Sequence, residues 1–184
     1  MSNFRFIEKN IDVSKILQQV LDNPKDWEEV STYKNIEGDM NPYGFLPLVM
    51  AVVKSRTDNP KNSELQRNTP LYEKYTEIRK WLRSYGINQT SRAAFFRLQP
   101  GGGVHNHIDD GTYYLTRDRY HLSLQGRYLY EVEGEKHIIE PGTFFWFDNK
   151  KYHSALNIGD VDRVSFVFDV PHRVKHPNNS RNFI

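Results

Sequence analysis

Residues 121–147 read HLSLQGRYLYEVEGEKHIIEPGTFFWF, and this stretch decides the fold. Short runs of apolar and aromatic residues are separated by Gly126, Gly134 and the pair Pro141-Gly142, which are typical of tight turns. The pattern continues outward on both sides, and the predicted strands are 93–98, 121–125, 128–132, 136–139, 143–147 and 163–170. Closely spaced strands punctuated by glycine predict a double-stranded β-helix, the jelly-roll or cupin-like architecture.

The first ninety residues have a different character. They predict helices at 13–21, with Asp12 as N-cap, and from Thr69-Pro70 to Gly86, a strand at 46–53 and a polar loop at 56–68. We therefore expect a mainly β protein with N-terminal helices. Its three parts would be a mixed helical segment packing on the core (1–90), the double-stranded β-helix (91–172) and a C-terminal tail (173–184).

Composition narrows the class of protein. The chain has 184 residues, of which 38% are hydrophobic, and a net charge of +2, which is too small to indicate nucleic-acid binding. There is no cysteine, which excludes disulfides and thiolate metal sites. The segment from Met1 to Phe6 resembles neither a signal peptide nor a transit peptide, and no apolar run is long enough to span a membrane. We expect a cytoplasmic protein that contacts no membrane; the sequence indicates nothing about its oligomeric state.

A candidate metal site begins at His107-Ile108-Asp109 and is completed by His153. Two residues apart on an extended segment, His107 and Asp109 point the same way, and a later strand can bring His153 beside them. Two histidines and one carboxylate suit Fe(II), Mn(II) or Zn(II) and leave coordination positions open, which would make iron useful. The alternative is a surface His-x-Asp pair and a hydrogen-bonded core histidine.

Three further cationic or polar positions accompany the triad. Arg163 follows His153 by ten residues, where its guanidinium could hold the distal carboxylate of 2-oxoglutarate through two bonds. Arg119 and His121 share one strand face and could assist, or Arg119 could form an internal salt bridge with Glu131 or Asp169. Asn157 could orient the cosubstrate or cap a turn.

The ordered set of motifs resembles the aspartyl/asparaginyl β-hydroxylase family of Fe(II)- and 2-oxoglutarate-dependent oxygenases. The matching pieces, all between Phe95 and Val170, are Leu98-x-Pro100-Gly101, His107-x-Asp109, Arg119-x-His121-Leu122, Tyr130-Glu131-Val132-x-Gly134-Glu135, Pro141-Gly142, Phe147-Asp148, His153-x-x-x-Asn157, Arg163-Val164 and Phe168-Asp169-Val170. The first ninety residues show no such match.

The resemblance implies a double-stranded β-helix with iron on His107 and His153, and 2-oxoglutarate on Arg163, Arg119 and His121. Some family members lack the acidic ligand, whereas this chain has Asp109, so we expect the full triad. The neighbouring Asp110 is expected to face away from the metal. The loop at 110–118 is longer than is typical. This loop, the segment 56–68 and the N-terminal segment are the candidates for substrate specificity.

Three hypotheses follow. The leading one is a dioxygenase that uses molecular oxygen to hydroxylate an aspartyl/asparaginyl-type peptide side chain or a small molecule. A second is a cupin-like metal enzyme that does not use 2-oxoglutarate and would not need Arg163. A third is a non-catalytic module that binds 2-oxoglutarate and metal without turnover.

Overall fold

The structure, a computed structural model, describes residues 2–29 and 44–172. Within these residues two antiparallel sheets face each other. The larger has the order β1 (Phe4–Glu8), β10 (Phe144–Phe147), β7 (Arg117–Gln125), β12 (Arg163–Pro171), β5 (Arg92–Leu98), β3 (Gly44–Ala51) and β2 (Glu28–Glu29), with β4 (Gln66–Asn68) also paired to β3. The smaller has the order β6 (Gly103–His107), β11 (His153–Asn157), β8 (Tyr128–Val132) and β9 (Glu135–Ile139). The predicted mainly β, cupin-like jelly roll is confirmed.

The space between the sheets contains aromatic rings and the candidate site. Alternation along the strands turns every second side chain inward, and Phe4, Tyr130, Phe145 and Phe147 pack there as one buried cluster. On β7 and β12 the same alternation directs buried polar side chains, among them His121, Ser165 and Asp169, into this space. Aromatic rings and polar side chains therefore share the interior.

Three helices, α1 (Ser14–Leu21), α2 (Leu71–Lys74) and α3 (Thr76–Ser84), accompany the larger sheet. α1 and α3 bury Ile16, Val20, Ile78 and Leu82 in the core on the outer face of this sheet. The prediction of Asp12 as the N-cap of α1 is wrong by one residue, because the N-cap is Val13, which has no side-chain oxygen to accept a hydrogen bond. Asp12 precedes the cap, and its Oδ1 accepts from the Ser14 amide over 3.0 Å. α1 and α3 therefore cover the outer face of the larger sheet, and the candidate site lies at its inner face.

The helix predicted from Thr69-Pro70 is divided in two. Tyr75 departs from helical geometry at φ −86° and ψ 73°, between α2 and α3. Its ring packs 5.5 Å from that of Phe95, and its hydroxyl donates to Asp26 Oδ2 over 2.9 Å. Burying this amphipathic side chain requires the break, which apolar spacing alone does not reveal.

The prediction of a simple loop at 56–68 is wrong. This segment contains a short 3-10 turn, Pro60–Asn62, and the edge strand β4, which pairs with β3. A strand at the edge of a sheet can be polar because its side chains meet solvent, so it lacks the apolar alternation that identifies a buried strand.

The segment before residue 90 also supplies strands to the larger sheet. β1 pairs with β10, and β3 pairs with β5. The sequence analysis predicted only that residues 1–90 pack on the core, and it did not predict either pairing. The predicted tail at 173–184 lies outside the described residues. Among the residues described, no helix has the length and apolar character needed to cross a bilayer.

Candidate metal centre and adjoining polar interior

Three predicted ligands meet at one edge of the smaller sheet. His107 ends β6 and His153 begins β11, and the two are direct partners in the strand register, with ring centroids 4.2 Å apart. Asp109 follows β6 by two residues, and one donor atom from each of the three side chains lies within 4.8 Å of the others. Two ligands at about 2.1 Å from one ion can be up to about 4.2 Å apart. Asp109 Oδ1 lies 3.8 Å from His107 Nε2, and Asp109 Oδ2 lies 4.0 Å from His153 Nε2, so each of these two separations is within that limit.

Backbone carbonyls fix the tautomer of both imidazoles. Nδ1 of His107 lies 2.7 Å from the His105 carbonyl oxygen, and Nδ1 of His153 lies 2.8 Å from that of Lys151. A carbonyl oxygen only accepts, so each Nδ1 carries the proton and each Nε2 keeps its lone pair. Burial lowers the pKa of His153 to about 4, although Asp109 opposes the shift. The neutral imidazole is the form that can bind a metal.

The carboxylate of Asp109 is held on one oxygen. Oδ2 accepts from Arg119 Nη1 over 2.8 Å and from Asn149 Nδ2 over 2.9 Å. The backbone amide of Asp109 donates to the backbone carbonyl oxygen of Asn149 over 3.0 Å. Burial raises the pKa of Asp109, but the charge of Arg119, together with the hydrogen bond from Asn149, outweighs burial and leaves the pKa below its usual value. Asp109 is therefore an ionised candidate ligand whose Oδ1 lies towards His107 and whose Oδ2 lies towards His153.

Arg119 forms an internal ion-pair network. Its Nε and Nη2 donate to the two carboxylate oxygens of Asp169 over 2.8 and 3.0 Å, while Nη1 donates to Asp109. The internal salt bridge to Asp169, which was the alternative, is observed, and the contact of Arg119 with 2-oxoglutarate stays a prediction. The guanidinium already spans two carboxylates and does not present a free fork to a ligand.

Arg163, unlike Arg119, has no carboxylate partner among the described residues. Its side chain is 3% exposed, and among residues 2–29 and 44–172 it forms no ion pair and no hydrogen bond to a side chain. The guanidinium lies over the ring of Tyr128 at 4.2 Å, and Nε is buried without a hydrogen-bond partner. A buried cation of this kind is costly unless an anion joins it. Arg163 is therefore suited to receive an anionic ligand.

His121 lies in the same interior, close to Arg163. Its Nδ1 is buried without a partner, and its ring contacts Phe145 and Phe147 at 5.2 and 5.1 Å. Burial, reinforced by the charge of Arg163, holds the pKa of His121 well below its usual value, so the ring is neutral. The Phe147 ring also contacts His153 at 4.9 Å, which links this polar interior to the metal ligands.

Three hydroxyl groups extend the polar interior, and the sequence analysis missed them. The hydroxyls of Ser123, Ser165 and Tyr128 are buried and without partners among the described residues. Ser123 and Ser165 are register partners across β7 and β12. Each lies two residues beyond a predicted site residue, His121 or Arg163, so strand alternation was the signal that could have found them.

Asn157 belongs to the turn and not to the polar interior. Its Nδ2 donates to the carbonyl oxygens of Leu98 and Val161 over 3.0 and 2.9 Å. Its Oδ1 accepts from the Gly159 amide over 3.1 Å. Both amide hydrogens are engaged by backbone, which favours the turn-capping alternative over a contact with the cosubstrate.

The two loops considered for specificity pack on each other. Asp110 faces away from the metal ligands, as expected, and forms an ion pair with Lys61. The Thr112 amide donates to Asn62 Oδ1 over 3.0 Å. Deeper in the same loop, the Tyr113 hydroxyl donates to Asp169 Oδ2 over 3.2 Å. The loop at 110–118 therefore contacts Asp169, the carboxylate that binds Arg119.

Comparison with known proteins agrees with this site. The sequence profile described as aspartyl/asparaginyl β-hydroxylase matches residues 14–173, and this chain therefore belongs to that hydroxylase family. The match begins in α1, so the first ninety residues are largely part of the family unit, contrary to the prediction from motifs. No curated protein sequence matches significantly.

Solved structures share the fold. An oxidoreductase of the 2OG-Fe(II) oxygenase family from Burkholderia pseudomallei is similar over 92% of this chain and 86% of that chain, with a TM-score of 0.63 and 12% identity. A predicted oxalate decarboxylase from Thermotoga maritima is similar over 79% of this chain and 92% of that chain, with a TM-score of 0.46 and 15% identity. At such low identity the first likeness supports the fold alone, and the second carries no further argument.

Proposed function

We propose that this protein is an Fe(II)- and 2-oxoglutarate-dependent dioxygenase that hydroxylates its substrate. The observation that carries the proposal is Arg163, a buried guanidinium without a carboxylate partner among the described residues. It lies in the same interior as His121, and the Phe147 ring connects that interior to His153. A dicarboxylic oxo acid is suited to this arrangement, with one end at the metal and the other at Arg163.

The donor set fits ferrous iron. His107 and His153 would supply neutral Nε2 atoms and Asp109 would supply Oδ1, because Oδ2 is already engaged by Arg119 and Asn149. Two imidazoles and a carboxylate leave open positions of the kind that non-haem iron oxygenases require. When bound, iron and 2-oxoglutarate supply the oxidising power that inserts an oxygen atom from O₂ into a substrate C–H bond.

The residues of the polar interior would bind and orient the cosubstrate. Arg163 would take its distal carboxylate, and the hydroxyls of Ser165 and Tyr128 could donate to the same group. His121 would remain neutral and offer a hydrogen bond without adding a second cation. The rings of Phe145 and Phe147 contact His121 and would exclude water from its surroundings. The buried polar atoms of Arg163, His121, Ser165 and Tyr128 that lack partners would then have them.

The substrate class follows from the family. We propose a peptide side chain of the aspartyl or asparaginyl type, or a small molecule that presents a similar group. The docked loops at 56–68 and 110–118 are the proposed source of specificity, because one of them contacts the network of Asp109, Arg119 and Asp169. The structure of the Burkholderia oxidoreductase, described as a 2OG-Fe(II) oxygenase, is consistent with the proposed reaction type.

An anaerobic titration of the metal-free protein with Fe(II) and 2-oxoglutarate tests the proposal. Chelation of Fe(II) by a 2-oxo acid produces a visible charge-transfer band, and we expect one equivalent of each ligand to produce it. Arg163→Met should weaken 2-oxoglutarate binding about a hundredfold or more, because it removes a buried charge partner. Arg127→Met is the matched control, since Arg127 is exposed and pairs with Glu140 on the surface.

The alternatives predict different results. If iron binds but no band forms, the protein is a cupin-like metal enzyme that does not use 2-oxoglutarate. If the band forms but oxygen never yields succinate with any aspartyl or asparaginyl peptide or free amino acid tested, a non-catalytic binding module is favoured. An Arg163→Met variant with unchanged 2-oxoglutarate affinity would contradict the assignment of the distal carboxylate.

A further inference from the structure

The hydrogen-bond network around Asp109 contains a second carboxylate, Asp169, that is not a candidate metal ligand. Arg119 lies between two buried carboxylates, bonded through Nε and Nη2 to Asp169 and through Nη1 to Asp109. Asp169 is 1% exposed, and β7 and β12 place it directly opposite Arg119 in the strand register. The sheet itself therefore sets the position of the guanidinium.

The geometry of the contacts is asymmetric. Asp169 takes two bonds in a fork-to-fork arrangement, which fixes both the place and the plane of the guanidinium. Asp109 receives a single bond, from Arg119 Nη1 to Oδ2, and Asn149 Nδ2 donates to the same oxygen. The result is a carboxylate with one oxygen restrained from two sides and the other available.

The surroundings reinforce the placement of Arg119. The Tyr114 ring lies 4.9 Å from the guanidinium carbon, and the Tyr113 hydroxyl donates to Asp169 Oδ2 over 3.2 Å. Both tyrosines belong to the loop that packs on residues 60–63. This enclosure leaves the Arg119 guanidinium little freedom to turn towards the interior that holds Arg163 and His121.

We propose that Arg119 is a positioning residue for the metal ligand Asp109, and that Asp169 in turn positions Arg119. In this chain the Arg119 side chain acts on the metal centre, whereas Arg163 alone provides the cationic contact for the oxo acid. The inference rests on the proposed function, because it assigns a role within that site. Metal ligands depend on such supporting hydrogen bonds, and losing one typically costs ten- to a hundredfold in metal affinity.

Two charge-preserving variants separate the roles of the two arginines. Arg119→Lys keeps the positive charge but cannot form the fork to Asp169 while reaching Asp109. We expect its Mn(II) affinity, measured from the electron paramagnetic resonance signal of free Mn(II), to fall about tenfold. Its 2-oxoglutarate affinity at saturating Mn(II), measured by calorimetry, should stay within about twofold. Arg163→Lys should show the reverse, with unchanged Mn(II) affinity and weakened 2-oxoglutarate binding.

Asp169→Asn provides an independent test if Arg119→Lys folds poorly. The substitution preserves shape but removes the charge that fixes the place and plane of the Arg119 guanidinium. With Arg119 less firmly held, its bond to Asp109 should weaken, and Mn(II) affinity should again fall while 2-oxoglutarate affinity is retained. Circular dichroism of each metal-free variant checks that the fold is intact.

The outcomes distinguish this inference from the proposed function. Should wild-type protein bind neither Mn(II) nor 2-oxoglutarate, the proposed function fails. Should wild type bind both, while Arg119→Lys loses 2-oxoglutarate affinity and keeps its Mn(II) affinity, only the positioning role is overturned. Arg119 would then be a cosubstrate ligand after all.

Discussion

Single hydrogen bonds decide which atom of each ligand is available to a metal. The carbonyls of His105 and Lys151 direct the two histidines to present Nε2, and Arg119 and Asn149 restrain one oxygen of Asp109. None of these supporting groups is itself a ligand. The site is therefore organised before any ion arrives, which is what lets a small donor set bind with a defined geometry.

His121 makes the stability of the metal-free protein depend on pH. Burial, and then the charge of Arg163, hold its pKa well below the usual value of 6.5, so the folded protein keeps it neutral. In the unfolded chain the same imidazole takes up a proton below about pH 6.5. Its contribution to stability is therefore fully present above that pH and is lost as the pH falls towards the folded-state pKa. Urea unfolding of the metal-free, cosubstrate-free protein should show a lower free energy of unfolding at pH 5 than at pH 7.

The variant His121→Gln should show a smaller loss of stability between pH 7 and pH 5 than the wild type does. His172→Gln is the control, because His172 is half-exposed and pairs with Asp118 at the surface, and it should keep a larger loss of stability than His121→Gln does. Identical pH dependence in wild type and His121→Gln would show that His121 is not buried in its neutral form.

Residue spacing predicted the three candidate ligands, which the structure brings together, but did not decide the partner of Arg119. His107 and Asp109 are neighbours on one extended segment, so alternation alone places them together. Arg119 and Asp169 are paired only because β7 and β12 lie side by side in a particular register. Sequence reasoning offered Asp169 and Glu131 as equal candidates, since neither the sheet order nor the register can be read from strand patterns.

At the scale of elements, the pairing of β6 with β11 assembles the metal centre. β6 was not predicted, because its sequence, GVHNH, has a glycine and polar residues where a buried strand would have apolar ones. The strand is nevertheless fixed by β11, which is paired to β6 on one side and to β8 on the other. Functional strands of this kind are hard to predict because their side chains serve the site and not the core.

The loop pair near the site depends on Gly111. Its φ is +107°, and a Cβ there would lie 2.4 Å from the Lys61 carbonyl oxygen. Gly111→Ala should lower the free energy of unfolding by about 1–3 kcal/mol or more, because backbone strain and a backbone clash act together. Limited proteolysis should also show faster cleavage within 56–68 or 110–118, since the two loops would separate.

Gly134→Ala is the matched control for the loop substitution. Gly134 also has a positive φ, +80°, but an added Cβ there meets nothing within 4 Å. It should cost only the backbone strain, about 1 kcal/mol, and leave proteolysis of the two loops unchanged. Equal destabilisation by the two substitutions would contradict the close packing of Gly111 on Lys61.

At the scale of the whole molecule, the first residues of the chain belong to the sandwich. Phe4 on β1 is 6% exposed and packs between the sheets, with its ring 6.0 Å from that of Tyr130. Phe4→Ala should therefore lower the free energy of unfolding by about 3–5 kcal/mol. Thermal or urea unfolding checks this, with Leu21→Ala as control, because Leu21 is 50% exposed. Equal, small effects would show that β1 is peripheral.

The sequence predicted the architecture of the molecule better than the role of its first part. Glycine-punctuated strands in the second half identified the jelly roll, because turns and alternation are local signals. The contribution of β1 and β3 to the larger sheet depends on partners about 140 and about 50 residues away, β10 and β5. Such long-range pairing leaves no local signal, so this segment was expected only to pack on the core.

The most direct test of the central claim is a crystal structure grown without oxygen in the presence of Mn(II) and 2-oxoglutarate, with anomalous diffraction recorded at the manganese edge. We expect one manganese peak within ligand distance of His107 Nε2, His153 Nε2 and Asp109, and the distal carboxylate of the oxo acid on Arg163. A manganese peak elsewhere, or a distal carboxylate bound by Arg119 in place of Arg163, would contradict the account.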